Sequence, residues 1–262
     1  MWSYIIIITV SIIISAFAFF SGFGLGTILL PAFALFFPLP MAIAATAIVH
    51  LADNIFKSIL IGKKADWQVI LKFAVPGAIA AIVGALLLNL LSNIPPLLTY
   101  LIGNSHHEIN IIKLVVGVLI ILFAFLDLIP RFKNISFNKR YLPLGGAISG
   151  FFGGLSGVQG AWRSAFLVKL ELDKDAFIGT AAISSVIVDF SRLLIYGISF
   201  YSLKFSTIPK DIYGLVAAAT LAALIGSIVG TLIIKKITLR IIQLLVGMML
   251  IIVGIGIISG LI

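Results

Sequence analysis

Ser21-Gly22-Phe23-Gly24-Leu25-Gly26 interrupts one long apolar run, and Ser156-Gly157-Val158-Gln159-Gly160-Ala161 interrupts another. The passages they open align without a gap, from Ser21 to Gly62 and from Ser156 to Gly197. Leu35 falls on Leu170, Ile43 on Ile178, and Ala47-Ile48 on Ala182-Ile183. Among polar positions, Asn54 falls on Asp189 and Lys57 on Arg192. Each copy has an apolar run broken by glycine, a short turn, and an apolar helix with a cation in its second half. Internal duplication of a broken hydrophobic segment points to a transporter's binding site.

Composition sets the solvent. Hydrophobic residues make up 61% of the 262 and charged residues 10%, and the mean hydropathy is +1.26. A soluble domain is nearer half apolar and a quarter charged, so this is a polytopic, multi-pass membrane protein, expected in the cell membrane. At roughly 20 residues per crossing, the length allows about eight helices and no sizeable extramembrane domain. There are no cysteines, which excludes disulfides, thiol catalysis and cysteine-metal sites. The formal charge of +9 reflects Lys and Arg in short loops that set topology. No arginine-rich arm or nucleic-acid module accompanies it. The first segment, from Tyr4, has no basic leader and reads as a retained helix.

The predicted fold is all-α: about eight transmembrane helices in two homologous four-helix repeats, each opening with a glycine-broken helix. Residues 1–130 form the first repeat, 131–140 a basic cytoplasmic linker, and 141–262 the second. The expected helices are Tyr4–Phe37 (broken), Met41–Ile61, Val69–Leu90, Ile111–Ile129, Leu142–Leu170 (broken), Ala176–Ile198, Ile212–Ile234 and Ile241–Ile262. A short interfacial piece is expected in Ser92–Asn110. If each broken segment crosses once, the loops at Lys63-Lys64, Arg131–Arg140 and Lys204–Lys210 share the cytoplasmic side. The acidic turn Glu171–Asp175 then lies outside, as do Lys235-Lys236 and Arg240, against the rule. If the broken segments are hairpins, the repeats invert. The single-crossing arrangement is the one expected.

The glycine-rich break followed by Pro31, the Ala44-Ala45-Thr46-Ala47 opening of the second helix, and the second break at Ser149–Gly157 together resemble the TauE/SafE sulfite-exporter family. The resemblance spans essentially the whole chain. It implies transport of sulfite, sulfoacetate or other organosulfonates, with proton coupling as a further expectation.

Ionisable residues deep in a bilayer are costly and mark function by default. Ser185, Asp189 and Arg192 share one helix face, and His50, Asn54 and Lys57 share the equivalent one. Lys57 and Arg192 are therefore expected to face a common space. Backbone donors after each break, at Gly24, Gly26, Gln159 and Gly160, can meet an anion, because helix N-termini carry partial positive charge. Arg163 can add a bidentate contact to a sulfonate. Each assignment has a plainer counterpart: Lys57 or Arg192 snorkelling to the interface, Asp189 neutralising Arg192 structurally, and His50 packing between helices rather than shuttling protons. Asp53 falls on Val188 and is either a partner for Lys57 or a proton acceptor. The proton-coupling candidates are Asp53, His50 and Asp189. His106-His107-Glu108 reads as a solvated loop, so no metal or cofactor is expected.

These residues make an anion carrier working by alternating access, with an anion channel as the alternative. No paired-aspartate, Ser-His or metal-helix motif supports an enzyme. The expected partners are a small anion, the lipid bilayer and a homodimer mate.

Overall fold

The computed structural model describes the chain apart from residues 22–24, 104, 129–136, 171, 203–208, 210 and 234–238. Side chains at 20, 21, 126, 127, 161, 169, 200–202, 233 and 239–246 also lie outside the description. Ten α-helices occur among the described residues. They are α1 (Trp2–Ser21), α2 (Leu25–Ala34), α3 (Leu39–Ile61), α4 (Trp67–Ser92), α5 (Ile111–Leu128), α6 (Leu142–Ser156), α7 (Gly160–Leu167), α8 (Lys174–Ser202), α9 (Asp211–Ile233) and α10 (Leu239–Ile258). Five of them, α1, α3, α4, α8 and α9, are long and apolar enough to cross a bilayer. Long apolar runs become helices there because the backbone must satisfy its own polar groups.

The helix ends follow from local chemistry. The Asp66 carboxylate accepts from the amides of Gln68 (2.9 Å) and Val69 (3.1 Å) and caps α4. Asp173 does the same for α8 through Ala176 N–H at 2.8 Å. Gly157, at φ +77°, closes α6 in the left-handed conformation that glycine tolerates best. Leu71, Val75, Ile79, Val83, Leu86 and Leu90 are all exposed along one side of α4, which makes that side its lipid face.

Glycine sets how closely the helices approach. On α6, a Cβ at Gly146, Gly150 or Gly154 would lie 1.9–2.1 Å from carbonyl oxygens of Phe73, Gly77 and Ala81 on α4. Close backbone contact through small residues is the usual basis of packing in lipid. Gly226 and Gly230 place α9 against Ile12 and Ala16 of α1 in the same manner. The packing occurs in matched sets: α4 on α6 and α1 on α9, α3 on α8, and α5 on α10.

These contacts fix the direction of each helix. Residue numbers rise together along α4 and α6, so the two run parallel; α1 and α9 do likewise. Gly117 of α5 meets Gly254 of α10 while Leu128 meets Gly247, so that pair is antiparallel. Phe166 of α7 lies against Gly145 of α6, so α7 folds back along α6. Similarly, α2 starts beside Gly157 and His50 and ends near Pro40 and Ser92.

The single-crossing expectation for the broken segments therefore fails: in each, a helix (α1, 20 residues; α6, 15 residues) is followed by a shorter helix that turns back. Lys64 shows the consequence, because its ammonium sits 2.5 Å from Asp175. The acidic turn shares an end with Lys63-Lys64 instead of lying opposite. Lys139 and Arg140 precede α6 at this basic end.

At the other end Leu98–Ile102 (β1) and Ser105–Ile109 (β2) form an antiparallel hairpin, where sequence suggested only a short interfacial piece. The Tyr100 hydroxyl donates to the Ser259 carbonyl, tying the hairpin to the chain's last turn.

Candidate functional site

The centre of the molecule is polar because α3 and α8 each bury a row of polar side chains there. On α3 these are His50, Asp53, Asn54 and Lys57; on α8 they are Ser184, Ser185, Asp189 and Arg192. The two helices cross antiparallel, with Gly179 of α8 against the Ile61 carbonyl and His50 against Asp189. The spacing of three and four residues puts each row on one face, turned toward the other helix.

Two clusters result. In the first, the Asp189 carboxylate gathers four donors. Oδ2 lies 2.6 Å from His50 Nδ1. Oδ1 accepts from Arg192 Nη2 (2.7 Å), Arg192 Nε (3.0 Å) and Gln159 Nε2 (2.9 Å). Arg192 Nη1 donates to the Gly153 carbonyl at 2.9 Å, and the Tyr196 hydroxyl donates to the Gly154 carbonyl at 2.5 Å. Arg192 is wholly buried. It locks the end of α6 to α8.

In the second cluster, Asp53 Oδ2 lies 2.6 Å from Lys57 Nζ. Its Oδ1 accepts from Ser15 of α1 (2.9 Å) and Ser227 of α9 (2.5 Å). Asp53 and both serines are fully buried. Ser15 and Ser227 carry no distinguishing signal in the sequence: other hydroxyls, Ser11 on α1 and Thr220 and Thr231 on α9, stand on the same apolar helices.

The returning half-helices bring the glycine breaks to the same place. A Cβ on Gly26 would lie 3.1 Å from the Gly157 carbonyl and 3.6 Å from the His50 ring. Gly160 is buried at the start of α7. Ser149 holds the turn by donating to the Gln159 carbonyl at 3.0 Å. Gly24 lies outside the described residues. Asn54 turns its amide back onto the His50 carbonyl at 2.7 Å. Arg163 Nη1 donates to the Ser185 hydroxyl, which donates in turn to the Ala181 carbonyl at 2.8 Å.

One small cavity touches this core. It is lined by Phe19, Leu25, His50, Asn54, Lys57 and Arg163, with Ile178, Ala181 and Ala182 on the far wall. It has room for little more than one water, about 20 Å3. Lys57 and Arg163 share it. Arg192, expected to face a common space with Lys57, does not line it. The antiparallel crossing explains this. From the His50–Asp189 contact, Lys57 lies roughly 10 Å of helix rise toward the basic end, and Arg192 lies beyond in the opposite direction. A larger cavity of about 540 Å3 sits under the hairpin, between the α2–α3 turn and the chain's end. Its lining includes the side chains of Glu108 and Lys113, and it shares no lining residue with either cluster.

Among the described residues no group of His, Asp or Glu is arranged to hold a metal. His106 and His107 stand on β2, where His107 stacks on Tyr100 at 5.5 Å.

Buried, paired charges at the centre of long apolar helices with a lipid-facing exterior define a polytopic membrane protein. The chain belongs to the TauE/SafE sulfite exporter family, whose profile matches residues 7–257. No curated protein and no solved structure matches the chain. It is a multi-pass membrane protein from a family of transporters, and the family implies a small anionic substrate.

Proposed function

We propose that the protein carries small sulfur-containing or organic anions, such as sulfite and sulfoacetate, across the cell membrane by alternating access. The observation that carries this reading is the pairing of Lys57 with Arg163 on one buried cavity beside His50 and Asn54. Two desolvated cations supply charge and directional donors for a sulfonate. Gly26 packs against the His50 ring that lines this cavity, Gln159 and Gly160 begin the half-helix that carries Arg163, and Ser185 positions Arg163.

Residues 1–130 and 141–262 act as two repeats of opposite direction, joined by 131–140. Such inverted repeats put the substrate at their interface near the midplane. The basic end is cytoplasmic by the positive-inside rule, so the cavity faces inward. Toward the other end, Ile43, Thr46, Ala47 and Arg192 are fully buried and close the path. A carrier fits this one-sided closure better than a channel does.

Ligand-induced stabilisation tests the site. Sulfite or sulfoacetate at about 100 times Kd adds about 2.7 kcal/mol, raising Tm by roughly 5–10 °C in a protein of this size. The shift is expected to vanish in Lys57→Gln and Arg163→Gln. No shift with any small anion, or an undiminished shift in both variants, overturns the reading. Unitary currents in planar bilayers would replace the carrier with a channel.

A further inference from the structure

Lys57 belongs to two sets of neighbours. Its ammonium lies 2.6 Å from Asp53 Oδ2, and its side chain also lines the cavity assigned to the anion. One ammonium cannot fully serve a carboxylate and an incoming sulfonate together. We propose that anion binding draws Lys57 off Asp53 and that Asp53 then takes up one proton, making Asp53 the coupling group of the carrier. This rests on the anion-carrier reading above.

The surroundings of Asp53 support it. Its only charged neighbour among the groups described here is Lys57. From α1 and α9 it receives hydroxyls alone, Ser15 and Ser227. On α3, His50 is engaged by Asp189, and Asn54 bonds back to the helix. On α8, Asp189 is held by Arg192, Gln159 and His50, and Arg163 of α7 faces Ser185. A carboxylate buried in the bilayer core without its cation is strongly disfavoured. The proton comes from cytoplasmic water and forms an O–H bond at Oδ2, the atom Lys57 leaves. Lys57 remains an ammonium and now pairs with the anion. No other bond changes, and each proton offsets one negative charge brought in.

The opposite half shows that the scaffold does not need this cluster. The position matching Asp53 is Val188 of α8. Val188 meets α4 through a plain apolar contact, its Cγ2 lying 3.2 Å from where a Cβ on Gly77 would be. The same kind of junction is thus built with and without an acid. An acid at this position in one half only gives one proton per cycle. The direction of net flux follows the two gradients.

Calorimetric titration of the purified protein with sulfoacetate, in buffers of different ionisation enthalpy, measures binding and protons in one experiment. The wild type is expected to take up about one proton per anion near neutral pH. Its affinity is expected to fall about tenfold per pH unit on the alkaline side. Asp53→Asn is expected to bind with no proton uptake and no pH slope. Binding without uptake in the wild type, or full uptake in Asp53→Asn, overturns the inference and leaves the anion site standing. No binding in the wild type removes the anion site, and this inference with it. Should Asp53→Asn not fold, His50→Gln decides: retained uptake supports Asp53, and lost uptake moves the proton to His50.

Discussion

Asp189 and Asp53 solve the same problem differently. Each is a fully buried carboxylate, but Asp189 holds Arg192 through two nitrogens and His50 through one, whereas Asp53 holds one cation, the flexible Lys57, beside two hydroxyls. The first arrangement is rigid and geometric; the second can let go. Breaking a buried pair by removing one partner costs about 3–5 kcal/mol, because the other charge is left stranded. Asp189→Asn is therefore expected to lower Tm by roughly 6–20 °C. Adding Arg192→Leu should recover part of that loss, since the stranded cation goes too. A double variant no more stable than the single, by thermal unfolding in detergent, would count against a structural Arg192–Asp189 lock. In the sequence the two rows of polar residues were legible from their three-and-four spacing and their recurrence. Their partners were not. Spacing on α3 and α8 places His50 and Asp189 on faces without saying that the helices cross there, and it says nothing of Ser15 or Ser227, which arrive from α1 and α9.

Close approach at the level of helices depends on where side chains are missing. Gly150 is the tightest case on the α4–α6 contact, with the Gly77 carbonyl 1.9 Å from any added Cβ. Gly197, on α8, has nothing within 4 Å of its Cβ position. Gly150→Leu forces the helices apart, and overpacking of this kind costs about 1–3 kcal/mol or more. Gly197→Ala instead gains helix propensity, about 0.5–1 kcal/mol. A Tm lowered by at least about 2 °C in the first and unchanged or slightly raised in the second is the expected pair of results. Equal tolerance at both sites would mean that α4 and α6 do not pack through backbone contact. Element positions were readable to within a few residues because apolar runs and their glycine and proline breaks are long and distinct. The direction taken after each break was not readable, since a glycine-rich turn is equally compatible with continuing across the bilayer and with folding back. The hairpin Leu98–Ile109 was hidden for another reason: two five-residue strands leave too short a pattern beside 20-residue helices.

The returning half-helices decide how the whole molecule sits in the membrane. With α2 and α7 folding back, α1 starts and α10 ends on the side of the hairpin, and the basic ends of α3 and α6 lie on the other. Loop charges then follow the positive-inside rule more closely than with single crossings, because the helix ends flanking Lys235-Lys236 and Arg240 join the basic side. Asp211 is the discriminating position. Single crossings place it at the cytoplasmic end with Lys64; the observed packing of α9 places it with the hairpin. The chain has no cysteine, so single cysteines report without background. A membrane-impermeant maleimide added to intact cells is expected to label Thr99→Cys and Asp211→Cys alike, and to label Lys64→Cys only after the membrane is opened. Labelling of Asp211→Cys only in opened cells would restore the single-crossing arrangement. The two halves would then be parallel, and the antiparallel α3–α8 crossing that brings His50 to Asp189 would have no place in the fold.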